Sequence, residues 1–270
     1  MPELPEIETI VRGLSPAVCG RRVVSVEVRE RRLRAPLAQD FPARLTGRRI
    51  DALSRHGKYL IATLDDARVW LVHLGMSGQL TLTPARPLAR VHDHVVVDFD
   101  DGCALTYNDP RRFGCMQVIE AEALASRAGG GIDALSPALT GDALHALARG
   151  RQTSIKTLLM DQRRVAGLGN IYVSELLFRA GVRPRRAAGR LTRAECGRVV
   201  DASREVLRAA IRDGGSSISD YRDGFGQFGR FQQSHQVYDR AGESCRTCGT
   251  AIRGCIVVGR STFYCPRCQR

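Results

Sequence analysis

Lysine is almost missing from this chain. Of 41 Lys and Arg residues together, lysine stands only at Lys58 and Lys156. The cationic work falls to arginine, whose planar fork suits paired contacts with phosphates and base edges. No apolar run approaches the ~18 residues of a membrane span, and neither a basic amphipathic terminal helix nor a lipidation signal points to a membrane surface. Met1-Pro2-Glu3-Leu4-Pro5-Glu6 is acidic and proline-punctuated, unlike a secretory leader, so a cytoplasmic protein is expected. Internal repeats and low-complexity tracts are lacking as well.

What is present is length, core material and positive charge. At roughly 100–200 residues per domain, 270 residues suggest at least two domains. An apolar fraction of 43% is too high for a disordered chain. A formal charge of +13 favours a polyanionic partner, nucleic acid before a membrane surface. Cys19, Cys103, Cys115 and Cys196 are scattered and read as small buried hydrophobes. Five more cysteines crowd the C-terminus.

Before Gly129-Gly130-Gly131 the chain reads as β-structure behind one helix. That helix spans residues 5–18, with Pro5 in its first turn, Glu6 and Glu8 complementing its dipole, and Ile7, Ile10, Val11 and Leu14 forming its apolar stripe. Valine alternates with polar residues over 24–28, a half-buried strand. Runs 59–64 and 69–74 flank Asp65-Asp66, and runs 95–99 and 104–107 flank Asp100-Asp101-Gly102, which predicts two hairpins. After the glycines the pattern is helical, over 142–148, 155–164, 170–179 and 193–212. The last helix carries a Thr192/Glu195 capping box and stops at Gly214-Gly215. Residues 216–231, rich in Gly, Ser and Phe, read as a mobile loop. The expected domains are 1–131, 132–234 and 235–270.

Cys245-x2-Cys248-x16-Cys265-x2-Cys268 has the spacing of a four-thiolate zinc site, as against free or redox-paired thiols. Such a closed site is structural. It staples two short strands, 252–258 and 261–264, with Gly259-Arg260 at their turn, and its work is to position Arg260.

Pro2 becomes the first residue once Met1 is removed. Its secondary amine, with a pKa of about 8 for an α-amino group, is partly neutral at pH 7. Attack on an aldehyde-like carbon would give an iminium that acts as an electron sink, and Glu3 beside it can carry protons. An ordinary chain start explains these two residues equally well. His73-Leu74-Gly75-Met76-Ser77-Gly78 and Asp109-Pro110-Arg111-Arg112-Phe113-Gly114 present apolar and cationic tips in glycine-bounded loops, fit to wedge into a base stack or merely to pack. His92 and His94 alternate, so only one faces a partner. Arg149 and Arg151 read as a solvated basic stretch. Asn170 after Gly167-Leu168-Gly169 opens a helix as an N-cap or as part of a phosphate cradle. Lys58 and Lys156, kept amid arginines, suggest a need for a compact or titratable ammonium.

Taken in order, Pro2-Glu3-Leu4-Pro5-Glu6, the His73 and Asp109 loops, Gly167-Leu168-Gly169-Asn170-Ile171-Tyr172 and the finger with Gly259-Arg260-Ser261-Thr262-Phe263-Tyr264-Cys265 resemble the bacterial formamidopyrimidine-DNA glycosylases over essentially the whole chain. The resemblance implies an α+β architecture: an N-terminal β-sandwich with a flanking helix, a helix-two-turns-helix module and a zinc-finger hairpin, with damaged duplex DNA in the cleft between the domains. It implies a monomer that removes 8-oxoguanine and formamidopyrimidines and then cleaves the strand at the abasic site. By the same resemblance Pro2 is the nucleophile, Glu3 the proton shuttle, Lys58 a proton-transfer and phosphate-contact residue, and Arg260 the phosphate clamp of δ-elimination. Met76, Arg111 and Phe113 fill the vacated base position, His73, His92, Arg151 and Asn170 contact DNA, and Lys156 lies near the damaged base. One structural zinc on Cys245, Cys248, Cys265 and Cys268 is implied. An endonuclease VIII-type enzyme for oxidised pyrimidines and a non-catalytic zinc-ribbon DNA binder are the alternatives.

Overall fold

Ile7, Ile10, Val11, Leu14 and Val18 recur at three- and four-residue intervals, and the helix they make, α1 (Leu4–Val18), buries that stripe. It starts one residue earlier than the proline suggests, because Glu3 is its N-cap and the Glu6 carboxylate accepts the Glu3 N–H at 2.8 Å. The computed structural model describes residues 2–218 and 220–270; Met1, and Ser219 within the expected loop, lie outside the described residues.

Two four-stranded antiparallel sheets follow. One has the order β1 (Val23–Val28), β6 (Asp93–Phe99), β7 (Ala104–Asn108), β5 (Gln79–Thr83), and the other β2 (Ile50–His56), β3 (Tyr59–Leu64), β4 (Val69–His73), β8 (Cys115–Ile119). Period-two alternation sends Leu60, Ala62 and Leu64 into one core with Val95, Val97, Leu105, Tyr107 and the α1 stripe. The opposite residues Ile61, Val69, Leu71 and Ile119 form a second cluster, under Leu124 of α3 (Leu124–Arg127). A short helix α2 (Phe41–Leu45) adds Phe41 and Leu45 to the main core. Both expected hairpins are formed, and Gly102 (φ 89°) supplies the left-handed residue of the second.

The C-terminal half contains β9 (Ile132–Asp133), α4 (Gly141–Ala148), α5 (Ile155–Met160), β10 (Val165–Ala166), α6 (Asn170–Arg179), α7 (Arg193–Arg212) and a hairpin of β11 (Arg253–Val257) and β12 (Arg260–Tyr264). The helix expected over 155–164 ends at Met160. Asp161 accepts the Arg163 N–H through its side chain at 3.1 Å, turning the chain into β10, which pairs with β9. The Thr192–Glu195 capping box is present, with Glu195 N–H to Thr192 Oγ1 at 3.2 Å and Thr192 N–H to Glu195 Oε2 at 2.8 Å.

The chain divides into two compact units where the sequence suggests three domains. One comprises the residues up to 128 together with 211–232, the other 129–210 together with 233–270. Segment 211–232 therefore returns to the sandwich, and the zinc hairpin belongs with the helices.

Candidate active site

Pro2 and Glu3 lie at the start of α1, both buried, Glu3 with 2% of its surface exposed. Arg55 on β2 links this helix to the neighbouring turn: its Nε donates to Glu8 Oε2 at 3.0 Å and its Nη1 to the Gly57 carbonyl at 3.0 Å. Burial acts to raise the Glu8 carboxyl, but the hydrogen bonds from Arg12 and Arg55 outweigh it and hold the group below the usual carboxylate range. The turn Gly57-Lys58 joins β2 to β3 across the pair His56–Tyr59, with Gly57 left-handed (φ 56°). Lys58 is thus set on a tight turn and is only 6% exposed.

Across β3–β4, Tyr59 faces His73, with rings edge-on at 4.8 Å between centroids. His73 Nδ1 accepts the Gly75 N–H at 3.0 Å, which places the ring proton on Nε2. Burial, reinforced by Lys58 and Arg34, lowers its pKa to about 4, so the ring is a neutral donor at physiological pH.

The two glycine-bounded loops are one body. Asp109, fully buried, accepts the Ser77 hydroxyl at 2.6 Å, the Tyr107 hydroxyl at 2.8 Å and the Gly114 N–H at 2.9 Å. Its carbonyl meets His94 Nε2 at 2.8 Å, and its N–H donates to the His92 carbonyl. Of the alternating pair, His92 is exposed and His94 buried, as alternation requires. Gly75 (φ 66°) has no room for a side chain: a Cβ would fall 2.3 Å from the Phe113 carbonyl carbon. This close approach leaves Met76 (36% exposed) and Phe113 (43%) projecting together, with the Arg111 guanidinium 4.8 Å from the Phe113 ring centre.

In the second unit the four sulfurs of Cys245, Cys248, Cys265 and Cys268 lie within 4.8 Å of one another. Two of the separations are 3.9 and 3.5 Å, close to the ~3.8 Å expected between thiolates on one tetrahedral zinc. The donor set fits one structural zinc with no position left open for chemistry. Cys255 stands apart on β11. The hairpin turn is Val258-Gly259, with both residues left-handed (φ 46° and 69°), the geometry a two-residue turn demands. Arg260 is therefore the first residue of β12, paired with Val257, rather than part of the turn, and it is exposed.

Lys156 points inward. It is 1% exposed, and its Nζ donates to the Ser261 carbonyl at 2.9 Å and to Thr262 Oγ1 at 2.8 Å. In this structure Lys156 ties α5 to β12. Asn170 is the first residue inside α6, the cap being Gly169, and its buried Oδ1 meets no hydrogen-bond donor among the described residues. Gln162 shapes the loop before it, donating to the Leu168 carbonyl at 2.7 Å and accepting the Gly167 N–H at 2.9 Å. Arg151 Nε donates to the Leu147 carbonyl at 2.7 Å, at the C-terminal end of α4.

Sequence reasoning did not single out Asp109, Glu6 as a bridge, or Glu175. Glu175, on α6, accepts the N–H groups of Gln236, Val237 and Tyr238 at 2.8, 3.0 and 2.8 Å. Burial still pushes its carboxyl above the usual range despite those three donors. The one available sign was a carboxylate flanked by apolar residues of α6, where a buried charge must find donors.

Comparison with known proteins agrees with this arrangement. Residues 1–116 match the formamidopyrimidine-DNA glycosylase N-terminal domain, 131–222 the H2TH domain of the same enzymes, and 242–270 a zinc finger found in FPG and IleRS. The formamidopyrimidine-DNA glycosylase of Thiobacillus denitrificans is 50% identical over 272 residues, covering all of both chains. That of Methylococcus capsulatus is 46% identical over 273 residues, again with full coverage. Among solved structures, a Lactococcus lactis FPG mutant with a Fapy-dG containing DNA superposes with a TM-score of 0.92 at 33% identity over 100% of each chain. The L. lactis enzyme with abasic-site DNA gives 0.91 at 33% identity over 99% of each. Similarity that runs unbroken from the buried proline to the last cysteine places this chain in the formamidopyrimidine-DNA glycosylase family.

Proposed function

We propose that the protein excises oxidised purines, 8-oxoguanine and formamidopyrimidines, from duplex DNA and then cleaves the strand at the resulting abasic site, acting in the cytoplasm on the nucleoid. The observation that carries this reading is the buried Pro2–Glu3 pair at the positive end of α1. Once Met1 is removed, a helix N-terminus disfavours an ammonium there, which favours the neutral, nucleophilic form of the proline amine.

The damaged nucleotide must leave the stack first, at a cost of a few kcal/mol. Met76, Phe113 and Arg111 occupy the gap, while His73, His92, Arg151, Asn170 and Arg260 hold phosphates. The Pro2 nitrogen bonds to C1′ as the glycosidic bond breaks, and Glu3 supplies the proton that leaves with the base. The Glu3 carboxylate takes the N–H proton and passes it to O4′, so that the sugar ring opens to a cationic iminium. A proton is lost from C2′, the electron pair moves into the iminium, and the 3′ phosphate departs. Loss of the 5′ phosphate follows in the same way, with Lys58 assigned to proton transfer and Arg260 to phosphate contact. Lys156 serves this chemistry indirectly, by holding β12 and hence Arg260.

Parallel excision assays on duplexes carrying 8-oxoguanine or thymine glycol test the substrate class. Faster release of 8-oxoguanine is expected. Preference for thymine glycol would assign the endonuclease VIII type instead, and release of neither would leave a DNA binder.

A further inference from the structure

One buried carboxylate joins two segments 210 residues apart. Glu6 Oε2 accepts the N–H of Glu3, and Oε1 accepts the N–H of Ser216, each at 2.8 Å. The approach depends on Gly215, left-handed at φ 83°, where a Cβ would stand 2.8 Å from Glu6 Oε1 and 3.2 Å from Tyr221 Cε1. Further described residues of this segment are seated on the same unit. The Leu82 N–H donates to the Gly224 carbonyl at 2.8 Å, Gln79 Nε2 to the Asp220 carbonyl at 2.7 Å, and a Cβ on Gly13 of α1 would lie 3.3 Å from the Phe225 ring.

A carboxylate whose two oxygens are held by two backbone donors cannot turn toward one without leaving the other. If Ser216 moves, Glu6 either loses a charge-assisted bond or follows, and in following it gives up its hold on the Glu3 N–H. We propose that Glu6 is a positioning residue that makes the chemistry of Pro2 and Glu3 conditional on the seating of residues 214–218 and 220–229. Displacement of the segment is then transmitted to the N-terminal residues through the Glu6 side chain, beside the bond from the Tyr221 hydroxyl to the Glu6 carbonyl. The proposal rests on the proline-amine reading above.

The test uses a substrate with no base to grip. Single-turnover cleavage of a duplex containing an abasic site is measured for the full-length protein, for Gly13→Val, which displaces Phe225 from outside the Glu6 contacts, for Glu6→Gln, and for the double variant. In Glu6→Gln the amide NH2 must face one of the two N–H groups, so one arm of the bridge is lost. The expected result is about tenfold slower cleavage for Gly13→Val and tenfold or more for Glu6→Gln. The double variant should be no slower than Glu6→Gln, and DNA affinity should stay within about twofold throughout. Gly215→Ala, which presses on Glu6 from the segment side, should match Glu6→Gln if the latter folds poorly. Wild-type cleavage by Gly13→Val, or multiplicative losses in the double variant, would overturn the coupling while leaving the proline reading intact. Failure of borohydride to trap the wild-type protein would overturn both.

Discussion

The carboxylate of Asp109 accepts the hydroxyl of Ser77 at 2.6 Å, so the loop that carries Met76 and the loop that carries Phe113 share one buried acceptor. On the proposed function, the side chains offered to a base stack are thereby set by one buried carboxylate.

Replacing Asp109 with alanine would leave the Ser77 and Tyr107 hydroxyls and the Gly114 N–H without their acceptor. At about 1–3 kcal/mol for each orphaned buried group, a loss of at least ~3 kcal/mol is expected, a fall in Tm on the order of 6–12 °C. Thermal unfolding checks this, and an unchanged Tm would remove Asp109 from its central place.

Lys156 separates strut from clamp. Lys156→Met should lower thermal stability, by about 2 kcal/mol for two stranded acceptors, yet in an Arg260→Ala background leave the salt dependence of DNA binding unaltered. Arg260→Ala should reduce the slope of log K against log salt by about 0.9 while the fold stays stable. A slope change with Lys156→Met in that background would mean that its ammonium meets a phosphate.

How much of this was legible beforehand follows physical range. The α1 stripe, the Thr192–Glu195 box and the two cysteine knuckles are written at short spacing, and the structure contains each of them. The hairpin turn was misplaced by one residue because Val258 takes a left-handed conformation, which β-branched residues rarely do. The Glu6–Ser216, Asp109–Ser77 and Glu175–Val237 bonds join positions far apart in the chain. A carboxylate looks the same in sequence whether it faces water or three backbone donors. Lys156 shows the converse: its rarity marked it, but only the fold reveals that it points inward.

Removing zinc should dismantle the small core of Val237, Cys245, Ile252 and Cys265 that the thiolates close. One zinc per chain is expected by elemental analysis, and chelation should weaken DNA binding at least tenfold by releasing Arg260. Undiminished binding by verified apo-protein would contradict that role.

Acidification should destabilise the sandwich unit through His73. Its folded pKa of about 4 lies below the ordinary 6.5, so the unfolded chain binds the extra proton first. The stabilisation is complete above pH 6.5 and is lost as pH falls toward 4, at up to about 1.4 kcal/mol per pH unit. Denaturant midpoints between pH 7 and 5 check this, and His73→Gln should flatten the profile. An equally steep profile in that variant would assign the dependence to other groups.

The proline amine is tested most directly by trapping. The protein is incubated with an 8-oxoguanine duplex and borohydride, digested, and the crosslinked peptide sequenced by mass spectrometry. The adduct should sit on the nitrogen of Pro2, and a variant with a blocked terminus should bind DNA without forming it. A crosslink on Lys58, or on any other side chain, would contradict the account.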